Sequence, residues 1–412
     1  MTEKTTTASA QAADSVPDFP MPRAAGCPFD PAPQLRRLQA EAPITKVRWW
    51  DGSSPWLVTR YDDQRALFAD PRISADSANP HFPASSPGFK ESQKHGRPFI
   101  KKDDPEHARQ RRMVTAPFSV KRAEALRPAI QKIVDGLIDE MLAGPRPTDL
   151  VEAFALVVPS LVICELLGVP YADHEFFQEN AKQFTRREAS GKQAAAGQQR
   201  LMDYMDRLIG EKLASPGGDV MSDVAGRVKA GELSREDAAQ MGALLLLAGH
   251  DTTANMIALG TLALLQHPRQ LAILRETGDP AVVANAVEEM LRYLSIVHNG
   301  RTRVALEDIE IGGQVIHAGD GVVMPIEMAN RDAAAFPDPD RLDIQRPARH
   351  HVAFLFGPHQ CLGQNLARVE LEVVYGTLYK RIPTLRLAAG LEQIPFKHDA
   401  IIYGVHKLPV TW

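Results

Sequence analysis

The sequence predicts a mixed fold weighted to helix, with a small strand-rich part, and two observations support that prediction. Helical periodicity dominates the middle of the chain, from residue 106 to residue 294, and short strand-like runs lie on both sides of it. The 412 residues are 44% hydrophobic and 24% charged. That balance is typical of a globular protein with a large core rather than of a disordered or fibrous chain.

The predicted elements begin with a pair of strands near the N-terminus. Residues 44–47 and 56–59 are predicted to form two short strands about the Asp51-Gly52 turn, followed by a helix over residues 61–69. The stretch at 77–98 is rich in Pro, Ser and Gly and is predicted to be a long loop. In a compact domain such a loop is usually functional or mobile.

After the helical region, strand-like segments return before a turn that contains a cysteine. Residues 309–315 and 322–325 are predicted strands, and a Pro-rich irregular run at 336–347 leads to the turn. The long helix before them opens at Ser234, which forms a capping pattern with Asp237.

Charge and cysteine content exclude several classes of protein. A formal charge of -4 and a pI near 6.4 give no support to nucleic-acid binding. The three cysteines, Cys27, Cys164 and Cys361, are widely separated and odd in number, which argues against a disulfide framework and a zinc site. We therefore expect a protein of the reducing cytoplasm.

No segment of the sequence predicts a targeting signal or a membrane span. Residues 1–18 lack an apolar core and are predicted to be a disordered tail before a single domain at 19–412. The apolar runs at 150–169 and 241–265 contain charged residues, so we expect buried core helices there and no contact with a membrane.

The most informative motif is Phe354-Leu-Phe-Gly357-Pro-His359-Gln-Cys361-Leu-Gly363, which sets one cysteine in a turn directly before a helical-looking segment. A thiolate at a helix N-terminus is stabilised by the helix dipole and by free backbone N–H groups. Gly357 and Gly363 would let the backbone pass close to a flat macrocycle. We interpret Cys361 as an iron ligand; the alternative is a buried free cysteine in a core helix.

This segment resembles the haem-binding loop of the cytochrome P450 superfamily. The resemblance implies a mainly helical domain with a small β lobe, in which haem b lies between a long central helix and the cysteine loop. Thiolate ligation would push electron density onto the iron and favour O–O cleavage. Leu355 stands where the family has Gly or another small residue. The turn is therefore expected to be shifted or crowded at that position.

A second motif, Ala248-Gly249-His250-Asp251-Thr252-Thr253, interrupts an apolar helix and would be costly to bury without a use. It resembles the acid–alcohol pair of the same superfamily. The resemblance implies Asp251 as the proton-relay acid and Thr252 as the hydroxyl that holds a water network, with Gly249 allowing close approach. The alternative is a threonine that only hydrogen-bonds a carbonyl of its own helix.

Glu289 and Arg292 lie three residues apart on one helix face, where they can pair. Such a pair is usually a solvated surface contact. Their position before the cysteine loop resembles the buried ion-pair motif of the superfamily, with a structural role. Arg341 is the candidate third member, as a partner for Glu289.

A buried haem needs donors for its two propionates. His107 and Arg111 stand at i and i+4 of a predicted helix, on a different face from Arg109. They resemble the propionate-binding pair of the family, and His359 and Arg303 resemble the remaining two contacts. The alternative for each is an ordinary surface charge.

By resemblance, the substrate pocket would be walled by segments 77–100, 295–298 and 399–401 and by one face of the central helix. The candidate substrate-binding residues are Leu244, Ala248, Ile296, Val297 and Ile401. Their apolar character suits a bulky natural-product or drug-like substrate such as a macrolide or polyketide. Leu244 and Ile401 could equally be plain core.

The resemblance implies a monomeric monooxygenase that uses dioxygen and takes electrons from ferredoxin and a ferredoxin reductase. No G-x-G-x-x-G follows a strand, so a fused reductase is not expected. An acidic ferredoxin would dock near Arg109 and Arg112. Three alternatives remain: a P450-type nitric oxide reductase that uses NADH directly, a peroxygenase, and a non-catalytic haem-binding protein. The Asp251–Thr252 pair favours the monooxygenase.

Overall fold

A computed structural model describes residues 16–24, 26–93, 96–185, 191–398 and 400–412. Fourteen α-helices lie within those residues. They are α1 (Pro33–Glu41), α2 (Tyr61–Ala69), α3 (Pro87–Ser92), α4 (Glu106–Thr115), α5 (Val120–Ala143), α6 (Val157–Leu167), α7 (His174–Thr185), α8 (Gly191–Ala214), α9 (Val220–Lys229), α10 (Arg235–Gln266), α11 (Pro268–Glu276), α12 (Pro280–Leu294), α13 (Ile326–Ala329) and α14 (Gln364–Arg381).

Ten strands, each of two to five residues, form three small sheets in the same part of the chain. They are β1 (Ile44–Lys46), β2 (Trp56–Val58), β3 (Ile73–Ser74), β4 (Thr148–Asp149), β5 (Arg301–Ala305), β6 (Ile309–Ile311), β7 (Gln314–Ile316), β8 (Gly321–Met324), β9 (Arg386–Leu387) and β10 (Pro409–Thr411). The strand orders are β1-β2-β8-β5-β3, β4-β10-β9 and β6-β7. The predicted mainly helical fold with a small β part is confirmed.

Two local predictions were wrong. The predicted loop at 77–98 contains helix α3, because Ser86 caps it by accepting a hydrogen bond from the Phe89 backbone N–H at 3.1 Å and Pro87 occupies its first turn. The predicted strand at 309–315 is a hairpin of β6 and β7. Gly312 and Gly313 turn the chain between them with φ of 54° and 77°, a conformation that glycine adopts without steric cost.

Helix α10 is the centre of the helical part. It packs against α6, α8 and α14, and a helix covered on all sides is apolar on all sides. The predicted cap is present: Ser234 Oγ accepts a hydrogen bond from the Asp237 backbone N–H at 3.0 Å. Among its few accessible positions are Leu244, Ala248 and Thr252, spaced four residues apart and therefore on one face.

The N-terminal end of the described chain forms an isolated β-bridge, between Asp18 and Arg48. Phe19 N–H donates to the Arg48 carbonyl at 2.9 Å, and Arg48 N–H donates to the Pro17 carbonyl at 2.8 Å. Residues 1–15, most of the predicted tail, lie outside the described residues. None of the helices in the described part of the chain is both long enough and apolar enough to cross a bilayer.

Glu289 and Arg292 form a fully buried ion pair on α12. The Arg292 Nε and Nη2 atoms donate to the two carboxylate oxygens of Glu289 at 2.7 and 2.8 Å. The expected third member was wrong: Arg346, not Arg341, donates to Glu289, at 3.2 Å. The Arg341 side chain is exposed and pairs with Asp343, because Arg341 faces the helix only with its backbone carbonyl, which accepts from Arg292 Nη2 at 3.4 Å.

Arg346→Gln is expected to lower the free energy of unfolding by about 2 kcal/mol, since it leaves a buried carboxylate with one fewer charged donor. Arg341→Gln is the matched control and is expected to cost less than about 0.5 kcal/mol, because its ion pair is exposed. Urea unfolding of both variants measures the difference. Equal losses in the two variants would contradict the assignment.

Candidate active site

Cys361 lies between a 3₁₀ turn at Gly357–His359 and the first residue of α14. Its backbone N–H donates to the Phe354 carbonyl at 2.9 Å, and Arg111 Nη2 donates to the Gln360 carbonyl at 2.6 Å. Burial raises the pKa of the Cys361 thiol, and a hydrogen bond from the Gly363 backbone N–H and the charge of Arg111 act in the opposite direction.

The turn before Cys361 contains two residues in left-handed conformation. Gly357 has φ of 75°, and a Cβ there would lie 2.4 Å from the Phe68 carbonyl oxygen on α2. The expectation that this glycine allows approach to a macrocycle was therefore wrong, because the side where a Cβ would stand packs against α2. At Gly363, by contrast, no described atom other than those of Gly363 and its two chain neighbours lies within 4 Å of the ideal Cβ position.

Leu355 has φ of 61°, the conformation that a glycine adopts at least cost. Its backbone N–H donates to the Val352 carbonyl at 2.8 Å, which closes the turn. The backbone at Leu355 is therefore in the left-handed conformation that a glycine would adopt easily. A leucine in this conformation is strained by about 1–2 kcal/mol.

Two of the predicted cofactor-binding residues lie face to face. The rings of His107 and His359 stack with centroids 4.0 Å apart and planes 26° from parallel. The Nδ1 atom of His107 lies 3.1 Å from an Asp104 carboxylate oxygen. Within the described part of the chain, His107 Nε2 and His359 Nδ1 are buried and have no hydrogen-bond partner. Each ring therefore has one nitrogen that can form a hydrogen bond with a bound ligand.

Buried positive charge surrounds this histidine pair. Burial, followed by the charges of Arg303, His107, Arg111 and Lys101, lowers the pKa of His359 to about 3. Burial and the neighbouring Arg301 charge lower the pKa of Arg303 to about 10. The structure therefore brings the four predicted propionate-binding residues together.

Arg301 and Lys101 belong to the same cluster and were missed by sequence reasoning. Arg301 and Arg303 are two residues apart on β5 and so share one face, a signal that alternation in the strand contained. Lys101 lies with its ammonium 5.1 and 5.0 Å from the ring centroids of Phe82 and Phe89. Burial, with Arg303 and Arg301, lowers its pKa to about 7. No periodic pattern in the sequence marked Lys101.

Asp251 and Thr252 are adjacent on α10 and only partly buried. Thr252 Oγ1 donates to the Ala248 carbonyl at 2.7 Å, so the alternative of a bond within the helix occurs. The hydroxyl oxygen retains acceptor capacity. Asn255 Nδ2 donates to an Asp251 carboxylate oxygen at 3.1 Å, and Lys397 Nζ donates to Asn255 Oδ1 at 2.9 Å.

Asn255 and Lys397 were not found from the sequence. A buried amide four residues after an acid was the available signal for Asn255. Lys397 lies far along the chain, in a loop after α14. Together they orient the Asp251 side chain from the C-terminal loop, which is the segment between β9 and β10.

The expected role of Gly249 was wrong. A Cβ at this position would lie 2.8 Å from the Cδ1 atom of Ile163, so the absent side chain allows α10 to pack closely on α6. His250 faces the same helix, with its Nδ1 atom 2.6 Å from Ser160 Oγ. Successive residues on a helix are 100° apart, so Gly249 lies beside the Ala248–Thr252 face and His250 lies opposite it.

The predicted substrate-binding residues fall into two groups. Ile296 and Val297 meet the C-terminal loop: Tyr403 N–H donates to the Ile296 carbonyl at 2.7 Å, and Val297 forms a β-bridge with Ile402, next to Ile401. Leu244 and Ala248 form the second group, on α10. Within the described chain, no hydrogen bond joins the two groups. Asp399, part of the predicted wall, lies outside the described residues.

Comparisons with known proteins place this site in a family. A model of the family Cytochrome P450 matches residues 166–381. The chain is 55% identical over 414 residues to cytochrome P450 GfsF of Streptomyces halstedii, with 100% of both sequences covered. The crystal structure of GfsF matches with a TM-score of 0.91 at 56% identity, over 96% of this chain and 100% of that one.

A second solved structure supports the same placement. The mycinamicin VIII C21 methyl hydroxylase MycCI from Micromonospora griseorubida, bound to mycinamicin VIII, matches with a TM-score of 0.91 at 40% identity, over 96% of this chain and 100% of that one. Sequence and fold therefore agree over nearly the whole chain. The chain belongs to the cytochrome P450 family and is a haem-thiolate monooxygenase.

Proposed function

We propose that Cys361 ligates the iron of haem b and that His107, Arg111, Arg303 and His359 hold its propionates, together with Arg301 and Lys101. The observation that carries this proposal is the cluster of buried cations and unsatisfied ring nitrogens around His359. Buried charges are stable only when they are paired. Two carboxylates supply the charge and the acceptors that this cluster needs, so the residues fit a haem.

Arg303→Gln is expected to weaken retention of haem about 10- to 100-fold, because one charge-assisted hydrogen bond to a propionate is lost. The measurement is the rate at which haem transfers from the ferric protein to an excess of apoglobin. Arg109→Gln is the matched control: Arg109 is half-exposed and pairs with Glu106, so retention should change less than about twofold. Similar rates of haem loss in both variants would contradict the assignment of Arg303 to the haem site.

The haem-free protein is expected to gain stability as the pH rises from about 7 to about 10, through Lys101. Its folded pKa of about 7 lies below its unfolded value, so the unfolded chain binds more protons in that window and deprotonation removes a penalty on folding. Lys101→Met should flatten the pH dependence of the urea-unfolding free energy. Lys102→Met, whose lysine pairs with Asp237 at 2.8 Å, should keep the wild-type slope. A wild-type slope in Lys101→Met would contradict the assignment.

We further propose that the enzyme hydroxylates or epoxidises an apolar, bulky natural-product or drug-like substrate such as a macrolide or polyketide. A relative of the same fold is a methyl hydroxylase bound to mycinamicin VIII. Leu244 and Ala248 on α10, with Ile296, Val297 and Ile401, would supply the apolar wall. Haem-thiolate chemistry supplies the activation of dioxygen, with the sulfur pushing electron density onto the iron.

Asp251 and Thr252 would deliver the protons that oxygen activation consumes. The Asp251 carboxylate is held by Asn255, which in turn accepts from Lys397, so its orientation is set by two polar contacts. Thr252 Oγ1 donates to the Ala248 carbonyl, which fixes the hydroxyl on the accessible face of α10 and leaves its oxygen free to accept from water. A positioned acid beside a positioned hydroxyl suits general acid catalysis.

Thr252→Ala is expected to uncouple the enzyme: product formed per electron pair should fall roughly tenfold or more, with hydrogen peroxide released instead. The readouts are NADH consumed, product formed and peroxide formed. Thr252→Ser, which keeps the hydroxyl, should restore coupling. Unchanged peroxide release in Thr252→Ala would count against the proton-delivery role.

Electrons would come from a ferredoxin and its reductase. Arg112 is exposed on α4, the helix that carries His107 and Arg111, and suits an acidic partner. Arg109 is less available, because Glu106 accepts from its Nε and Nη2 atoms at 2.9 and 2.7 Å. We also propose one domain over 19–412, acting as a monomer in the cytoplasm.

One experiment separates the proposed function from its alternatives. The purified protein is reduced under carbon monoxide to test for the red-shifted Soret band of thiolate ligation, and then given ferredoxin, reductase and ¹⁸O-labelled dioxygen with a library of macrolides. Labelled product supports the monooxygenase. Reduction by NADH alone with consumption of nitric oxide would indicate a nitric oxide reductase. Turnover with peroxide alone would indicate a peroxygenase, and the band without any product a non-catalytic haem protein.

A further inference from the structure

A buried polar cluster lies beside the cysteine loop and has no place in the chemistry described above. Arg368 on α14 donates to the Glu288 carboxylate from Nε at 2.7 Å and from Nη2 at 3.2 Å. His351, ten residues before Cys361, lies with Nε2 2.9 Å from the same carboxylate. The side chains of Glu288 and His351 are 8% and 1% exposed. The cluster therefore ties together α12, the start of the cysteine loop and α14.

The hydrogen bonds define the state of each group. The Ala353 backbone N–H donates to His351 Nδ1 at 3.1 Å, so the neutral ring carries its proton on Nε2 and donates it to Glu288. Burial lowers the pKa of His351, which keeps the ring neutral. Burial alone would raise the pKa of Glu288, but the hydrogen bonds from His351 and Arg368 lower it to about 2. The negative charge of Glu288 and the positive charge of Arg368 thus offset each other.

Two contacts connect this cluster to Cys361. The Arg368 guanidinium lies 4.6 Å from the centroid of the Phe354 ring, and the Phe354 carbonyl accepts the Cys361 N–H. Both contacts place the Arg368 charge beside the cysteine loop, where it acts on the sulfur through space. Glu288 determines how much of that charge is left uncompensated.

We propose that Glu288, His351 and Arg368 are positioning residues for the cysteine thiolate, and that Glu288 offsets the Arg368 charge felt by the Cys361 sulfur and thereby sets the reduction potential of the bound haem. This inference rests on the proposed ligation of iron by Cys361. A more positive environment favours the reduced state, and a less positive one favours the oxidised state. Removing the two charges one at a time should therefore shift the potential in opposite directions.

The experiment is a spectroelectrochemical titration of the haem-bound wild type and variants. Glu288→Gln, which keeps the size of the side chain, should raise the equilibrium constant of reduction about tenfold, or about 59 mV. Arg368→Gln should lower it by a similar factor. Arg368→Lys keeps the charge and should stay within about threefold of the wild type. The double variant should return towards the wild-type value, since the two charges act on the same sulfur.

Glu372→Gln is the matched control. Glu372 also lies on α14 and pairs with an arginine, Arg127, at 2.6 Å, so its loss should shift the reduction constant less than about twofold. A purely structural cluster would lower haem retention without shifts of opposite sign. If Arg368→Gln loses haem, Glu288→Gln and Arg368→Lys still decide the question.

The inference is overturned if Glu288→Gln leaves the potential unchanged or lowers it, or if Glu372→Gln shifts it equally. The carbonyl spectrum of the reduced wild type separates this failure from that of the proposed function. A wild type without the red-shifted band would remove the assignment of Cys361 and the inference with it. A wild type with the band and variants without opposite shifts would overturn the inference alone.

Discussion

Buried positive charge around His359 is the constraint on which the rest of the site depends. Arg111, Arg303 and Lys101 all lower the pKa of His359 after burial itself, and burial alone makes each cation costly. A protein without a bound anion would gain stability by replacing such a cluster with apolar side chains. In the proposed function a dianionic group offsets these charges, at the point where α4, β5 and the cysteine loop meet.

The central helix α10 performs two tasks on different faces. Gly249 and His250 face α6, where Gly249 allows close packing and His250 forms a hydrogen bond with Ser160. Ala248 and Thr252 stand on the accessible face, and Asp251 lies to one side of that face, where Asn255 donates to its carboxylate. The 100° rotation per residue therefore directs neighbouring residues of one short motif to different surroundings.

Local features of the site could be predicted because their causes lie in adjacent residues. The Ser234 cap, the pairing of Glu289 with Arg292 and the turn around Cys361 all depend on spacings of a few residues, and the structure contains each of them. Arg301 could also have been predicted, since side chains alternate along β5 and Arg301 therefore shares one face with Arg303. Lys101 was not, because its environment comes from Phe82, Phe89 and β5, which approach it from distant parts of the chain.

The amino-acid sequence alone was enough to identify the family and the mainly helical fold, because short motifs carry this information in their spacing. Folding in three dimensions selected the partners: Arg346 rather than Arg341 for Glu289, α2 rather than a macrocycle for Gly357, and Lys397 for Asn255. The physical reason is that periodicity describes neighbours within one or two turns. The path of the loops between elements, which no local period encodes, decides which distant side chains meet.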